Sequence, residues 1–364
     1  MKKYIIKTVL SFSLFISLAI LILIFPSCAD KFELPTDTGG LGNIAGDTVY
    51  IQINPPWQGF NKPQAVYIGN EPFVYVADTD NNRIVMMNLA GTVLGTREIK
   101  KPIEIAQDYQ LNLIVCAEFD TLGQTFSAVY KIDLVSASHN IENAPITRLL
   151  PRPNVASDLN TLIKYTGVAV FYDNSFYVAR TGPNNSSIFN PDNSILIFQK
   201  KILNDGSKKD TLIGRLPSLE PTGTGILSTN NISSLTTFKR RNIDFIMTLT
   251  GNTSFKAQWL YYNYASETPG YESRLSPNSN KMMLPNKFIR PEGVTVDNFG
   301  NIYIADADKD SIYKFNSFGD ELQSFGGANI FKEPYSVAFF DKTLYVADRG
   351  NNRILRFILS TDLR

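Results

Sequence analysis

From Thr48 to Arg364 the apolar residues fall in short alternating or continuous runs, broken by Gly, Asn, Asp and Pro, and no stretch sustains a helical period. This pattern predicts an all-β chain. One phrase recurs along it. Pro63-Gln64-Ala65-Val66 is followed by Val74-Tyr75-Val76-Ala77-Asp78, Pro291-Glu292-Gly293-Val294 by Ile302-Tyr303-Ile304-Ala305-Asp306, and Pro334-Tyr335-Ser336-Val337 by Leu344-Tyr345-Val346-Ala347-Asp348. Each copy reads as an inner strand, a second strand ending in Ala-Asp, a tight polar turn, then a third and a fourth strand. A unit this short cannot bury its own apolar faces, so the copies must pack against one another.

Aligned on the phrase, unit one comprises Gln64–Ile68, Phe73–Ala77, Arg83–Asn88 and Val93–Ile99. Unit two opens at Pro102 and continues through Leu113–Ala117, Ala128–Leu134 and Ile146–Leu150, and unit three is Gly167–Phe171, Ser175–Ala179, Ser194–Lys200 and Thr211–Arg215. Unit four is the most degraded, with Ser233–Thr237, Phe245–Thr250, Gln258–Asn263 and a last strand placed near Met282–Leu284. Unit five is Gly293–Val296, Ile302–Ala305, Ser311–Phe315 and Leu322–Phe325. Unit six has Tyr335–Phe339, Thr343–Ala347 and Arg353–Ile358, one strand fewer than the rest, and the run Val49–Ile53 at the other end can supply it. Closing the last unit with the first strand makes a ring and removes two exposed edges, which predicts a circular propeller rather than an open solenoid.

The repeated phrase and the turn Asp-x-x-Asn-Asn-Arg-Ile, found at Asp78–Ile84 and Asp348–Ile354, resemble NHL repeats. The resemblance implies a six-bladed β-propeller of NHL type over residues 48–364. It also implies an interaction platform, since such propellers mostly bind partners and the repeat itself names no ligand.

Residues 1–27 read as an export signal: a basic start with Lys2, Lys3 and Lys7, then an uncharged apolar run from Val9 to Phe25 closed by Pro26-Ser27-Cys28. The segment resembles the signal of bacterial lipoproteins, Ser27 being the small residue before the cysteine. That resemblance implies a lipid on Cys28 and a membrane-anchored, extracytoplasmic protein of the bacterial cell envelope. Residues 28–47, polar and rich in Gly, Thr and Asp, are expected to form a flexible tether.

The formal net charge is +1, and the body is near neutral once the signal's lysines are set aside. A nucleic-acid partner needs a basic stripe, so none is expected. Cys116, within Leu113–Ala117, reads as a small buried hydrophobe. His139 is the single histidine, which rules out a three-histidine zinc site and leaves no nucleophile–base pair. Its polar surroundings, Ser136–Asn140, predict a solvated loop.

The turn residues Asp78, Arg83, Asp306, Asp348 and Arg353 recur by position, so they are read as structural: Asp and Asn satisfy turn donors, and each Arg grips its Asp in a bidentate pair. Glu104 and Glu292 are taken to occupy one repeat position, beside the central channel in opposed blades, with Gln64, Thr166, Ser233 and Tyr335 in the others. Calcium-dependent propeller lactonases gather acidic side chains there. A Ca2+-dependent hydrolase with metal ligands Glu104 and Glu292 is therefore the rival reading, whereas the main reading has no cofactor.

Insertions favour the main reading. The Arg180–Asn193 turn and the links Pro151–Thr166 and Leu216–Ile232 should all project from one rim over blades three and four. Arg180, Asn184 and Asn185 are its candidate binding residues, for a protein partner first and a glycan second. Trp259, Tyr261, Tyr262 and Tyr264 add an aromatic cluster that can stack on either.

Overall fold

Burial sorts the strands of each repeat. The second strands are the most buried, Val74–Asp78 and Ile302–Asp306 at every position, which is why they carry the repeated apolar phrase. Outer strands such as Val93–Glu98 bury little and read weakly in the sequence. The computed structural model describes residues 49–275 and 281–362. The expected signal, Cys28 and the tether lie outside the described residues, among which no helix is long and apolar enough to cross a membrane.

The strands assemble into six four-stranded antiparallel sheets. A separate apolar cluster joins each blade to the next: Tyr75 and Ile84 of blade one meet Leu113 and Val115 of blade two, and so on until Tyr345 and Ile354 of blade six meet Val66 and Val76 of blade one. The chain is thus a closed six-bladed β-propeller. The seam lies where Tyr50–Trp57 pairs antiparallel with Arg353–Leu359, placing Tyr50 opposite Leu359 and Gln52 opposite Phe357. The closing strand is longer than Val49–Ile53, and Tyr50 also stacks on Phe325 of blade five at 4.7 Å.

Inner strands approach closely at the axis. A Cβ on Gly293 would lie 2.5 Å from the Tyr335 carbonyl oxygen, and one on Gly167 would lie 2.9 Å from the Leu235 nitrogen. Hydroxyls bridge the same gaps, Thr166 Oγ1 donating to the Ile232 carbonyl and Ser233 Oγ to that of Pro291, each at 2.6 Å. Farther out, blades two and three share an ionic cluster in which Asp210 receives Lys131 Nζ at 2.7 Å and Lys200 Nζ at 2.8 Å.

One strand differs from expectation. Blade four ends with Gly270–Ser273, whereas Met282 and Met283 form a short 3-10 turn buried between blades four and five. Their hydrophobicity reflects packing against Trp259 and Phe288, and the true outer strand is only partly buried and carries no apolar signal.

Candidate functional site

The recurring Asp organises the face where blade links and second-to-third-strand turns meet. Asp78 is fully buried, its Oδ1 accepting the Asn61 N–H at 2.6 Å and its Oδ2 accepting Asn81 Nδ2 at 2.8 Å and Arg83 Nε at 2.7 Å. Asp348 repeats this with Lys332, Asn351 and Arg353, and Asp306 receives the N–H groups of Ile289 and Arg290. In each case the carboxylate clamps the link entering its own blade. The arginines are not bidentate on the carboxylate. Nε meets the Asp, while Nη2 turns to a backbone carbonyl, Gly59 for Arg83 and Ile330 for Arg353, because the preceding link supplies the second acceptor.

On this face the axial channel opens in a mouth of about 340 Å³. One residue of each blade forms its upper tier: Gln64, Ile103, Thr166, Ser233, Glu292 and Tyr335. The expectation that Glu104 shares the Glu292 position is corrected by register. Glu104 pairs with Cys116 as Gly293 does with Ala305, so it stands one tier deeper, where Ala65, Gly167, Ser234, Gly293 and Ser336 are small. Counted from the repeat proline, Glu104 follows Pro102 by two residues as Ala65 follows Pro63 and Gly293 follows Pro291, whereas Glu292 follows Pro291 by one, so the upper tier of blade two belongs to Ile103.

The two carboxylates are therefore different chemical objects. Glu104 extends into the space left by the small residues, accepting the Ile105 N–H at 3.0 Å and Ser234 Oγ, from blade four, at 3.3 Å. Enclosure pushes its carboxyl up to about 8, the two hydrogen bonds only partly opposing this, so at neutral pH it holds its proton. Below it the channel continues between apolar positions such as Ile105, Val168 and Val294. Glu292 is also raised by burial, but Arg290 Nη1 lies 3.0 Å away and moderates the rise. Arg290 further donates to Asp308 at 2.7 Å, to the Tyr335 hydroxyl at 2.7 Å and to Glu333 at 3.3 Å, tying blade five to blade six. Calcium does not fit this donor set: the two carboxyls stand on different tiers, Glu292 is held by a guanidinium, and no group of three or more His, Cys, Asp and Glu forms among the described residues.

The three insertions do meet on the same face, over blades three and four. Asn193 Nδ2 donates to the Pro221 carbonyl at 2.8 Å and Thr229 Oγ1 to that of Asn193 at 3.0 Å, joining the turn to the following link. A cleft of about 400 Å³ lies between the turn, the preceding link and blade three. Of the three residues assigned to the rim, Asn184 is exposed, whereas Asn185 braces the loop by donating to the Gly182 carbonyl and accepting the Asn193 N–H. Arg180 is buried, donating to the Asp192 and Pro191 carbonyls and to Asn190 Oδ1. The loop tip instead presents Ile188 and Phe189, which are 82% and 90% exposed. Sequence reading passed over them; two large apolar residues inside a polar insertion was the available signal.

The other candidates are dispersed. Trp259 belongs to the core, stacked on Phe238 at 4.6 Å, while Tyr264 is exposed and Tyr262 lies between them in burial. Tyr261 donates to Glu272 at 2.7 Å. Cys116 is fully buried. His139 is not simply solvated: its Nδ1 stands 2.7 Å from Glu71 Oε1 of blade one.

No family model matches the chain, and no curated protein matches it. Solved structures do resemble it. A gluconolactonase from Xanthomonas campestris is 13% identical with a TM-score of 0.52, over 88% of this chain and 99% of that one. The PQQ-bound aldose sugar dehydrogenase of Streptomyces coelicolor is 12% identical with a TM-score of 0.52, over 87% and 100%. A protein of unknown function from Bacteroides thetaiotaomicron is 16% identical with a TM-score of 0.50, over 86% and 72%. At these identities the likeness extends to the propeller fold and no further.

Proposed function

We propose that this protein is a binding propeller of NHL type, held at the bacterial cell envelope by a lipid on Cys28, that captures a protein partner on the face carrying the enlarged loops. The observation that supports this reading is the pair Ile188 and Phe189, apolar and almost fully exposed on a loop braced from below. Arg215 Nε donates to the Phe189 carbonyl at 3.0 Å and its Nη2 to that of Ile188, so the tip is pre-ordered. A rigid apolar projection loses little entropy on docking and gives a partner a buried anchor. The test is photo-crosslinking from position 189 in intact cells. A single crosslinked protein, lost in the Ile188→Asp/Phe189→Asp double variant with unchanged thermal unfolding, is expected; undiminished capture by that variant refutes the reading. Incorporation of labelled fatty acid, abolished by Cys28→Ser, tests the anchor.

A second reading, hydrolysis of a lactone at the channel mouth, takes its reaction class from the gluconolactonase that shares the fold. It is supported by Glu104, which carries a proton at neutral pH beside a hydroxyl-lined opening and could donate it to a leaving alcohol. Its test is lactone turnover by purified protein, with and without calcium. Activity removed by Glu104→Gln supports it, and no turnover rejects it.

A further inference from the structure

We propose that the cleft between blade three and its two enlarged loops binds a carboxylate carried on an apolar body, either a small free acid or the C-terminal residue of an extended peptide. This deepens the binding reading, on which it rests for the kind of partner but not for the chemistry of the cleft.

The cleft is apolar along Leu150, Ile163, Leu196 and Leu212, and two polar side chains complete it. Arg180 is 8% exposed and Tyr165 is 4% exposed. The acceptors of Arg180 are all neutral: Nε donates to the Asp192 carbonyl at 3.1 Å, and Nη2 to Asn190 Oδ1 at 2.6 Å and the Pro191 carbonyl at 2.5 Å. Its Nη1 has no hydrogen-bond partner among the described residues, and neither has the Tyr165 hydroxyl. Neither donor is sealed from solvent, so both open into the cleft that their side chains line, where a ligand or water is received.

Charge points to an anion. Arg152 and Asp158 neutralise each other through contacts of 2.7 and 2.8 Å. Arg215 spends its donors on the carbonyls of Ile188, Phe189 and Leu216. The nearby Asp192 carboxylate accepts the Asn184 N–H at 2.7 Å. Three arginines thus face two carboxylates. Burial lowers the pKa of Arg180, holding its charged form at a cost that an incoming carboxylate would offset, and raises that of Tyr165, keeping the phenol a protonated donor. A guanidinium edge and a phenol suit the two oxygens of one carboxylate. The apolar wall selects a singly charged ligand with a hydrocarbon side chain over a phosphate, which would leave that wall facing a strongly hydrated anion.

The experiment titrates purified propeller calorimetrically with N-acetyl-leucine, with N-acetyl-Ala-Ala-Leu, and with the C-terminal amide of each. Binding of the acids at least tenfold tighter than of their amides is expected, with sodium acetate failing to bind because it lacks the apolar body. Equal affinity for N-acetyl-leucine and the peptide assigns a free acid, whereas tighter binding of the peptide assigns a chain terminus. Tyr165→Phe, which preserves shape, should weaken the acids about tenfold and leave the amides unchanged. Arg180→Gln should abolish the preference, and its circular dichroism reports whether the braced loop survives. Acids and amides binding alike, or neither binding at millimolar concentration, overturns the proposal. Because this readout needs no cellular partner, absent acid binding with capture at position 189 intact defeats this inference alone. Acid binding without capture defeats the protein-partner reading alone.

Discussion

Glu104 Oε2 lies 3.3 Å from Ser234 Oγ, although the two residues belong to blades that are not neighbours. Blade three stands between them and contributes Gly167 at that level, so no side chain intervenes. The contact puts an ionisable group on the axis of the ring, where its protonation state couples to stability. The folded-state pKa of about 8 lies above the ordinary 4.5, so folding favours the protonated form. That contribution is complete below about pH 4.5 and is lost as pH rises toward 8. Glu104→Gln should melt within a degree or so of the parent at pH 5 and several degrees above it at pH 9. Parallel melting curves across this range would contradict the assignment.

Removing the clamp at Asp78 strands the Asn61 N–H, the Asn81 amide and the Arg83 guanidinium together. Asp78→Ala is expected to lower the unfolding free energy in urea by about 3 kcal/mol. Arg83→Lys keeps the charge but loses the contact to the Gly59 carbonyl, and should cost about 1 kcal/mol.

Gly293 has no room for a methyl group, because the obstacle 2.5 Å from its Cβ position is the backbone of blade six. Gly293→Ala should cost about 2 kcal/mol by prising blades five and six apart at the axis. Gly225, with nothing within 4 Å, is the matched control, and Gly225→Ala should shift stability by less than about 0.5 kcal/mol.

Asp210 serves two lysines from adjacent blades, and Asp210→Ala leaves Lys131 and Lys200 to share only the more distant Asp108, at 3.9 and 3.7 Å. A loss of about 3 kcal/mol is expected, partly recovered when Lys200→Met is added. Thermal unfolding of the single and double variants measures the recovery directly.

The repeat made the ring legible because burial on both faces of the second strands enforces one apolar phrase, as Val74–Asp78 and Ile302–Asp306 demonstrate. Edge strands face less constraint. Gly270–Ser273 carries no such mark, and Met282–Met283, hydrophobic for an unrelated reason, drew the assignment away. The site was legible in outline only. Loop lengths located the built-up face, and the count from the repeat proline, two residues to Glu104 and one to Glu292, already sets Glu104 below Glu292, although alternation alone could not show it. Nor could it tell that Arg180 turns inward while Phe189 turns out, since both depend on backbone carbonyls that no residue type announces.

Val49 donates to Ser360 Oγ across 311 positions of sequence. A polypeptide is made from its amino end, so the strand that completes blade six leaves the ribosome first and finds its place last. Blades two to five can each form as they emerge, but this joint waits for the final segment, and until then the inner faces of blades one and six are both bare. Removing Tyr50–Trp57 or Arg353–Leu359 would therefore release the same latch, and a break at one point would loosen the whole wheel.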